Sequence, residues 1–147
     1  MLTCYDIANY FLAQINEEIG DLISNLKLQK LIYYAQGFFL ALNDGALFQE
    51  DIEAWTHGPV VPVLYHAYKK YNSGAIPPPV GMDFSIYSQD TKDFLDEIYS
   101  VFGQFSAWKL RNMTHEEPPW RDVAEHAGII SHFSMKKYFL TQIETDG

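Results

Sequence analysis

The chain has one cysteine, few basic residues and no long apolar run, and each shortage excludes something. Cys4 stands alone, so no intrachain disulfide can form, which fits a reducing cytoplasm. Lysine and arginine number 10 against 19 aspartate and glutamate, a formal net charge of −9. Such a surface repels phosphate backbones, so direct nucleic-acid binding is not expected. Lys27, Lys30, Lys69 and Lys70 are the candidates for a local basic patch. The acidity suits a basic partner, or serves solubility alone. No stretch of about 18 apolar residues occurs, so no membrane-spanning helix is expected. The N-terminus shows no basic region followed by an apolar run, so no signal peptide is read there.

Familiar catalytic motifs are missing too. There is no His-x-x-x-His pair, no His-Glu-x-x-His, no P-loop, no Gly-x-Gly-x-x-Gly and no Gly-x-Ser-x-Gly. No motif implies a cofactor or a metal. No internal repeat is visible, and the only biased segment is Pro77-Pro78-Pro79.

What is present is a globular chain of 147 residues, 48% hydrophobic and 20% charged. That length suits one domain with its own core, here taken as residues 1–147. Ten Phe, ten Tyr and three Trp supply either a dense aromatic core or an interaction surface.

The stretch from Leu26 to Leu42 organises the rest. Leu28, Leu31, Ile32, Ala35, Phe38, Phe39 and Leu42 recur at helical spacing and lay one apolar face along a helix. Asn25 is its expected N-cap, and Asn43-Asp44-Gly45 its expected stop. Such a helix rises roughly 25 Å, so the other elements are expected to pack around it.

Before it, Thr3 and Asp6 form an approximate capping box for a helix over about 5–16. Asn16 to Ser24, with Gly20, reads as a polar connection. After it, a short strand ends at Trp55, and Thr56-His57-Gly58-Pro59 turns the chain. Pro62 starts a helix with Leu64, Ala67, Tyr68 and Tyr71 inward. Asn72 to Met82, rich in proline and glycine, is an exposed loop. Ser88 and Asp90 open a helix with Phe94, Leu95, Ile98, Val101 and Phe102 inward, ended or bent at Gly103. Ser106 caps a helix through Trp108, Leu110 and Met113. Pro118-Pro119 begin another turn, and Ser134 caps a last helix carrying Met135, Tyr138, Phe139 and Ile143. Gly128-Ile129-Ile130 is a candidate second strand beside the one at Trp55. The fold expected is mainly α: one compact domain of six or seven helices around a central helix, with a minimal two-stranded β ribbon.

Three constellations hold chemistry. His115-Glu116-Glu117 sets an imidazole beside two carboxylates, as a metal-assisted or carboxylate-dependent hydrolase would, or as a capped helix end would. Trp55-Thr-His-Gly-Pro-Val-Val-Pro and Thr114-His-Glu-Glu-Pro-Pro-Trp120 each read as a rigid aromatic platform, for a partner or for the fold itself. Lys27 and Lys30 lie off the main apolar face of the central helix, as a solvated edge or, with Tyr34, as a contact for acidic partner residues.

Taken together, Asn25 to Gly37, Glu53 to Tyr65 and Leu110 to Trp120 resemble the Panacea domain, the SocA-like, phage-associated antitoxin family. The resemblance runs from about Tyr5 to Leu140. It implies a mostly helical antitoxin of a two-gene toxin–antitoxin system, which neutralises a toxin by direct protein binding. It also admits a proteolytic adaptor that hands its toxin to an ATP-dependent protease. The motif positions it carries onto this chain are Lys27, Leu28, Gln29, Lys30, Tyr34, Trp55, Gly58, Pro59, Val60, Tyr65, Thr114, His115 and Trp120. From these and the two platforms, the expected partner-binding set is Lys27, Lys30, Tyr34, Trp55, His57, Gly58, Pro59, Tyr65, His115 and Trp120. No catalytic residue is implied. No added DNA-binding domain is read in the chain, so operator binding is not expected. The rivals are the hydrolase above and a phage-associated interaction protein without a toxin.

Overall fold

The computed structural model describes residues 1–15 and 22–143. Among them are seven α-helices and one two-stranded antiparallel sheet. The helices are α1 (Cys4–Ala13), α2 (Asn25–Leu42), α3 (Pro62–Tyr68), α4 (Gln89–Phe102), α5 (Ala107–His115), α6 (Pro118–Arg121) and α7 (His132–Leu140). Strands β1 (Glu53–Trp55) and β2 (Gly58–Val60) lie between α2 and α3.

Helix α2 is central, as its apolar spacing predicts, and it contacts α1, α3, α4, α5, α7 and β2. The stripe understates its burial. Gln29, Lys30, Tyr33, Tyr34 and Gln36 lie off the stripe, yet all are buried. Leu42, placed on the stripe, is exposed because the helix outruns its neighbours there. Helix α7 packs most extensively against α2. Phe139 lies against Tyr33, Tyr34 and Phe38 with ring centroids 4.8–6.0 Å apart. Gly37 permits that approach, since a Cβ there would sit 2.1 Å from Phe139 Cε2. On the α4 side, Tyr34 stacks on Phe102 at 4.1 Å.

Several boundaries differ from expectation by a residue or a turn. Ser24, not Asn25, caps α2, accepting from the Lys27 amide. Asn25 is drawn inward instead, where its amide donates to Tyr65 O. Ser131, not Ser134, caps α7, and the Ser134 amide is what it satisfies. Helix α2 ends at Asn43 in extended backbone at φ −133° rather than in a left-handed stop. The capping box at Thr3 and Asp6 is present, and α1 ends at Ala13. Ser88, Ser106 and Pro62 open their helices as read. Ala67 and Val101 face outward. The expected connection at Asn16 to Ser24 lies for the most part outside the described residues.

The ribbon is a correction of partner. Gly128-Ile129-Ile130 does flank β1, through Ala54 N–H to Gly128 O and Ile130 N–H to Ile52 O. Only Glu53 and Ile129 form a bridge there. The true second strand is β2, paired Glu53 with Val60, Ala54 with Pro59 and Trp55 with Gly58. Gly58 and Pro59 look like turn residues, but the turn is only Thr56-His57. Gly58 sits at φ +112°, where a side chain would be strained, and a Cβ would meet Lys30 Cε at 2.4 Å.

Replacing Gly37 by Ala should overpack the α2–α7 contact and cost about 1–3 kcal/mol. Chemical denaturation reads this as a lower midpoint at unchanged slope. An unchanged midpoint would show that α7 can slide away at no cost.

Candidate functional site

The site is built by polar side chains of α2 reaching for backbone. Gln29 accepts from the Val61 amide at 2.9 Å and donates to Asn25 Oδ1 at 3.0 Å. Asn25 in turn holds Tyr65 O at 3.2 Å. Lys30 donates to Pro59 O at 3.1 Å. Nearly two turns further on, Gln36 spans Phe48 O at 2.7 Å and the Leu47 amide at 2.8 Å. Loops carry backbone groups that no ladder satisfies, and buried ones must find partners. Here α2 supplies them, and so fixes the segment from Trp55 to Tyr65 in space.

That segment walls an open groove of about 630 Å³. Trp55, His57 and Tyr65 line it, with Asn25, Gln29 and Val60 from below and Lys69 at the side. The Trp55 indole donates to Glu53 Oε1 at 3.0 Å and meets the Tyr65 ring edge-on at 5.1 Å. Among the described residues, no carboxylate lines the groove. From the other side Trp120 braces the turn, its indole N–H donating to Trp55 O at 2.8 Å. His115 stacks flat on Trp120, 3.9 Å away and 7° from parallel.

The ten residues expected to meet a partner therefore separate. Trp55, His57 and Tyr65 come together in the groove. His115 and Trp120 are half-buried beside the turn. Tyr34, Gly58 and Pro59 are buried beneath the surface. Lys27 is half-buried and donates to Gly103 O at 2.6 Å. Lys30 corrects the reading of a solvated edge, because its exposure is 0%. Desolvation, with the nearby Arg111 charge, lowers its pKa to about 7.

The trio His115-Glu116-Glu117 is not gathered around one point. Glu116 is exposed, and His115 lies on Trp120. Glu117 turns inward, where Tyr33 donates to Oε1 and Tyr34 to Oε2, each at 2.9 Å. Tyr138 joins them from α7. Burial raises the carboxyl pKa to about 7, against the three hydroxyls that favour its charged form. Glu117 thus ties the α5–α6 corner to α2 and α7. Among the described residues no group of three His, Cys, Asp or Glu is placed to hold a metal ion. None of their helices is long and apolar enough to cross a membrane.

Two residues escaped the motif reading, Trp108 and Arg111. The Arg111 guanidinium lies 4.5 Å from the Trp108 ring centroid, and His57 faces the same ring at 6.0 Å. A signal was available: positions 108, 111 and 115 share one helical face.

Comparison with known proteins agrees with this architecture. The chain belongs to the family described as Antitoxin SocA-like, Panacea domain, whose model matches residues 28–121. That span begins on α2 and ends on α6, so it contains Gln29, Lys30, Trp55 to Tyr65, His115 and Trp120 but not the groove residues Asn25, Leu26 and Ala127. The chain is similar to Antitoxin SocA of Caulobacter vibrioides (strain NA1000 / CB15N), 32% identical over 117 residues. The alignment covers 72% of this chain and 62% of that relative. The chain therefore spans less than two thirds of the length of that curated relative. No solved structure gives a significant match.

Glu117 and Lys30 give a pH signature with opposite signs. Glu117 moves up from 4.5 to about 7, so stability from its proton is full below about 4.5 and is lost as pH rises through 7. Lys30 moves down from 10.5 to about 7, so its contribution is full above about 10.5 and is lost as pH falls through 7. Glu117→Gln keeps the shape and discards the titration. Its melting temperature should gain on the parent from about pH 4.5 to 7 and then hold level. The gain is on the order of 3 kcal/mol at most. A pH-independent difference would mean that Glu117 ionises normally.

Proposed function

We propose that this chain is an antitoxin that binds a partner toxin directly and neutralises it, with no catalysis of its own. The observation that carries the reading is the groove. Its lining is aromatic and polar, free of carboxylates among the described residues, and drawn mostly from the span that the family model matches. The antitoxin family and the name of the Caulobacter relative support the partner's class. The toxin is the product of the adjacent gene, and the complex forms in the cytoplasm.

The partner lies over the turn at Thr56-His57. Trp55, His57 and Tyr65 contact it, with His115 and Trp120 beside them. Lys30, Tyr34, Gly58 and Pro59 act from beneath by holding the turn in shape. A standard interface buries about 1,600 Å² in total, which exceeds the groove alone, so flanking surface takes part. Neutralisation follows either from covering the toxin or from presenting it to an ATP-dependent protease.

Co-expression with the adjacent gene product tests the reading, with growth and pull-down as readouts. Restored growth with co-purification is the expected result. Loss of the toxin band in cells with an intact protease would assign the adaptor route. His57→Ala, at an exposed turn residue, should weaken binding by about 1–2 kcal/mol at unchanged melting temperature. A non-toxic neighbour that does not bind would overturn the proposal.

A further inference from the structure

Helix α5 exposes Trp108 and holds Arg111 and His115 at half-burial, all on one helical face. His57 reaches the same place from the β1–β2 turn, and Trp120 backs His115. Lys30 lies close enough for its charge to bear on His115. The cluster therefore gathers two basic side chains and two imidazoles within a chain of net charge −9.

Its nitrogens are under-used. Arg111 Nε and His115 Nε2 are buried and have no hydrogen-bond partner. Arg111 spends Nη1 on the neighbouring Asn112 Oδ1 and stacks its plane on Trp108. Among the described residues no carboxylate bears on Lys30 or on His115; burial first, and positive neighbours second, lower the pKa of both. The one ion pair among the described residues, Arg121 with Asp122, leaves Arg111 out. Buried donors without acceptors are costly, as are cations without counter-charges. The described residues supply no carboxylate here, although the chain is acidic. An anion from outside would meet that unpaired charge.

Resting on the reading that this chain binds a partner protein, we propose that His57, Arg111 and His115, walled by Trp108 and Trp120, form a docking site for a carboxylate side chain in an acidic segment of that partner. The Arg111 guanidinium, stacked on Trp108, has Nε buried and Nη1 bound to Asn112, so an incoming carboxylate would meet it at Nη2 through a charge-assisted bond. Trp108, 55% exposed, gives the flanking residues of the segment an apolar wall. A nucleic-acid phosphate is disfavoured, because the polyanion would meet the acidic remainder of the surface. His57 lines the groove as well, so the acidic side chain would anchor one end of a segment continuing past Trp55 and Tyr65.

NMR of the full chain at fixed ionic strength tests this, watching the Arg111 Nε–H and the His57 and His115 rings. The probes are the capped peptide acetyl-Ala-Asp-Glu-Asp-Ala-amide, its Asn/Gln twin and inorganic phosphate. The acidic peptide should move these signals saturably and the amide twin should not. Arg111→Gln should weaken the peptide about tenfold or more. No saturable shift, an equal response to the twin, or a response to phosphate alone would each overturn the site. The titration of the parent chain decides the matter even if the variant fails to fold. Undiminished capture of the toxin by a folded Arg111→Gln chain would reject the site and leave the antitoxin reading standing. A neighbour that proves non-toxic would reject that reading while the peptide still reports on the site.

Discussion

The polar side chains of α2 hold the rest of the structure in place. Asn25, Gln29, Lys30 and Gln36 are buried on a helix that is otherwise the apolar centre of the domain. Each reaches backbone outside α2: Asn25 the last turn of α3, Gln29 the residue before α3, Lys30 strand β2 and Gln36 the loop at Leu47 and Phe48. A hydrogen bond of this kind contributes about 1 kcal/mol net, but losing one partner exposes the full cost of the other. The arrangement is therefore worth more as a constraint than as a sum. It forces the segment from Leu47 to Tyr65 to follow the helix, with one permitted shape.

The consequences run outward from there. Lys30 bonds Pro59 O, so β2 must pass close to α2, and only glycine fits at 58. Pairing with β2 places Trp55 and His57 at the rim of the groove. Trp120 then locks the Trp55 carbonyl, and His115 lies on Trp120. Glu117, next in the same corner, turns to the tyrosines of α2. Two ionisable groups, Lys30 and Glu117, thus stand on either side of the site with pKa values near 7, each displaced chiefly by burial. A rigid surface results, one that a partner can meet without first ordering it.

Much of this was legible in the sequence. Helical spacing located α2, and serine or proline at N-terminal positions located the openings of α3, α4, α5 and α6. Serine reading failed by one turn at α7, because Ser131 and Ser134 are both plausible caps three residues apart. The ribbon was half legible: β1 was found, but Gly58-Pro59 reads as a turn in sequence and becomes a strand only because α2 satisfies its outer edge. Lys30 was the clearest miss. A lysine off the apolar stripe is ordinarily solvated, and its burial depends on a carbonyl 29 residues away. The inward turn of Glu117 was hidden for the same reason, since its partners Tyr33 and Tyr34 lie more than 80 residues off. Local pattern sees helices and caps. It does not see long-range polar pairing.

Hydrogen–deuterium exchange on the complex with the adjacent gene product tests the central claim most directly, which is that partner recognition is centred on the turn held by α2. The account predicts added protection over residues 53–66 and 107–121 on binding, with α1 and α4 unchanged. Protection confined to α1 and α4, with the Thr56-His57 turn exchanging as in the free chain, would contradict it.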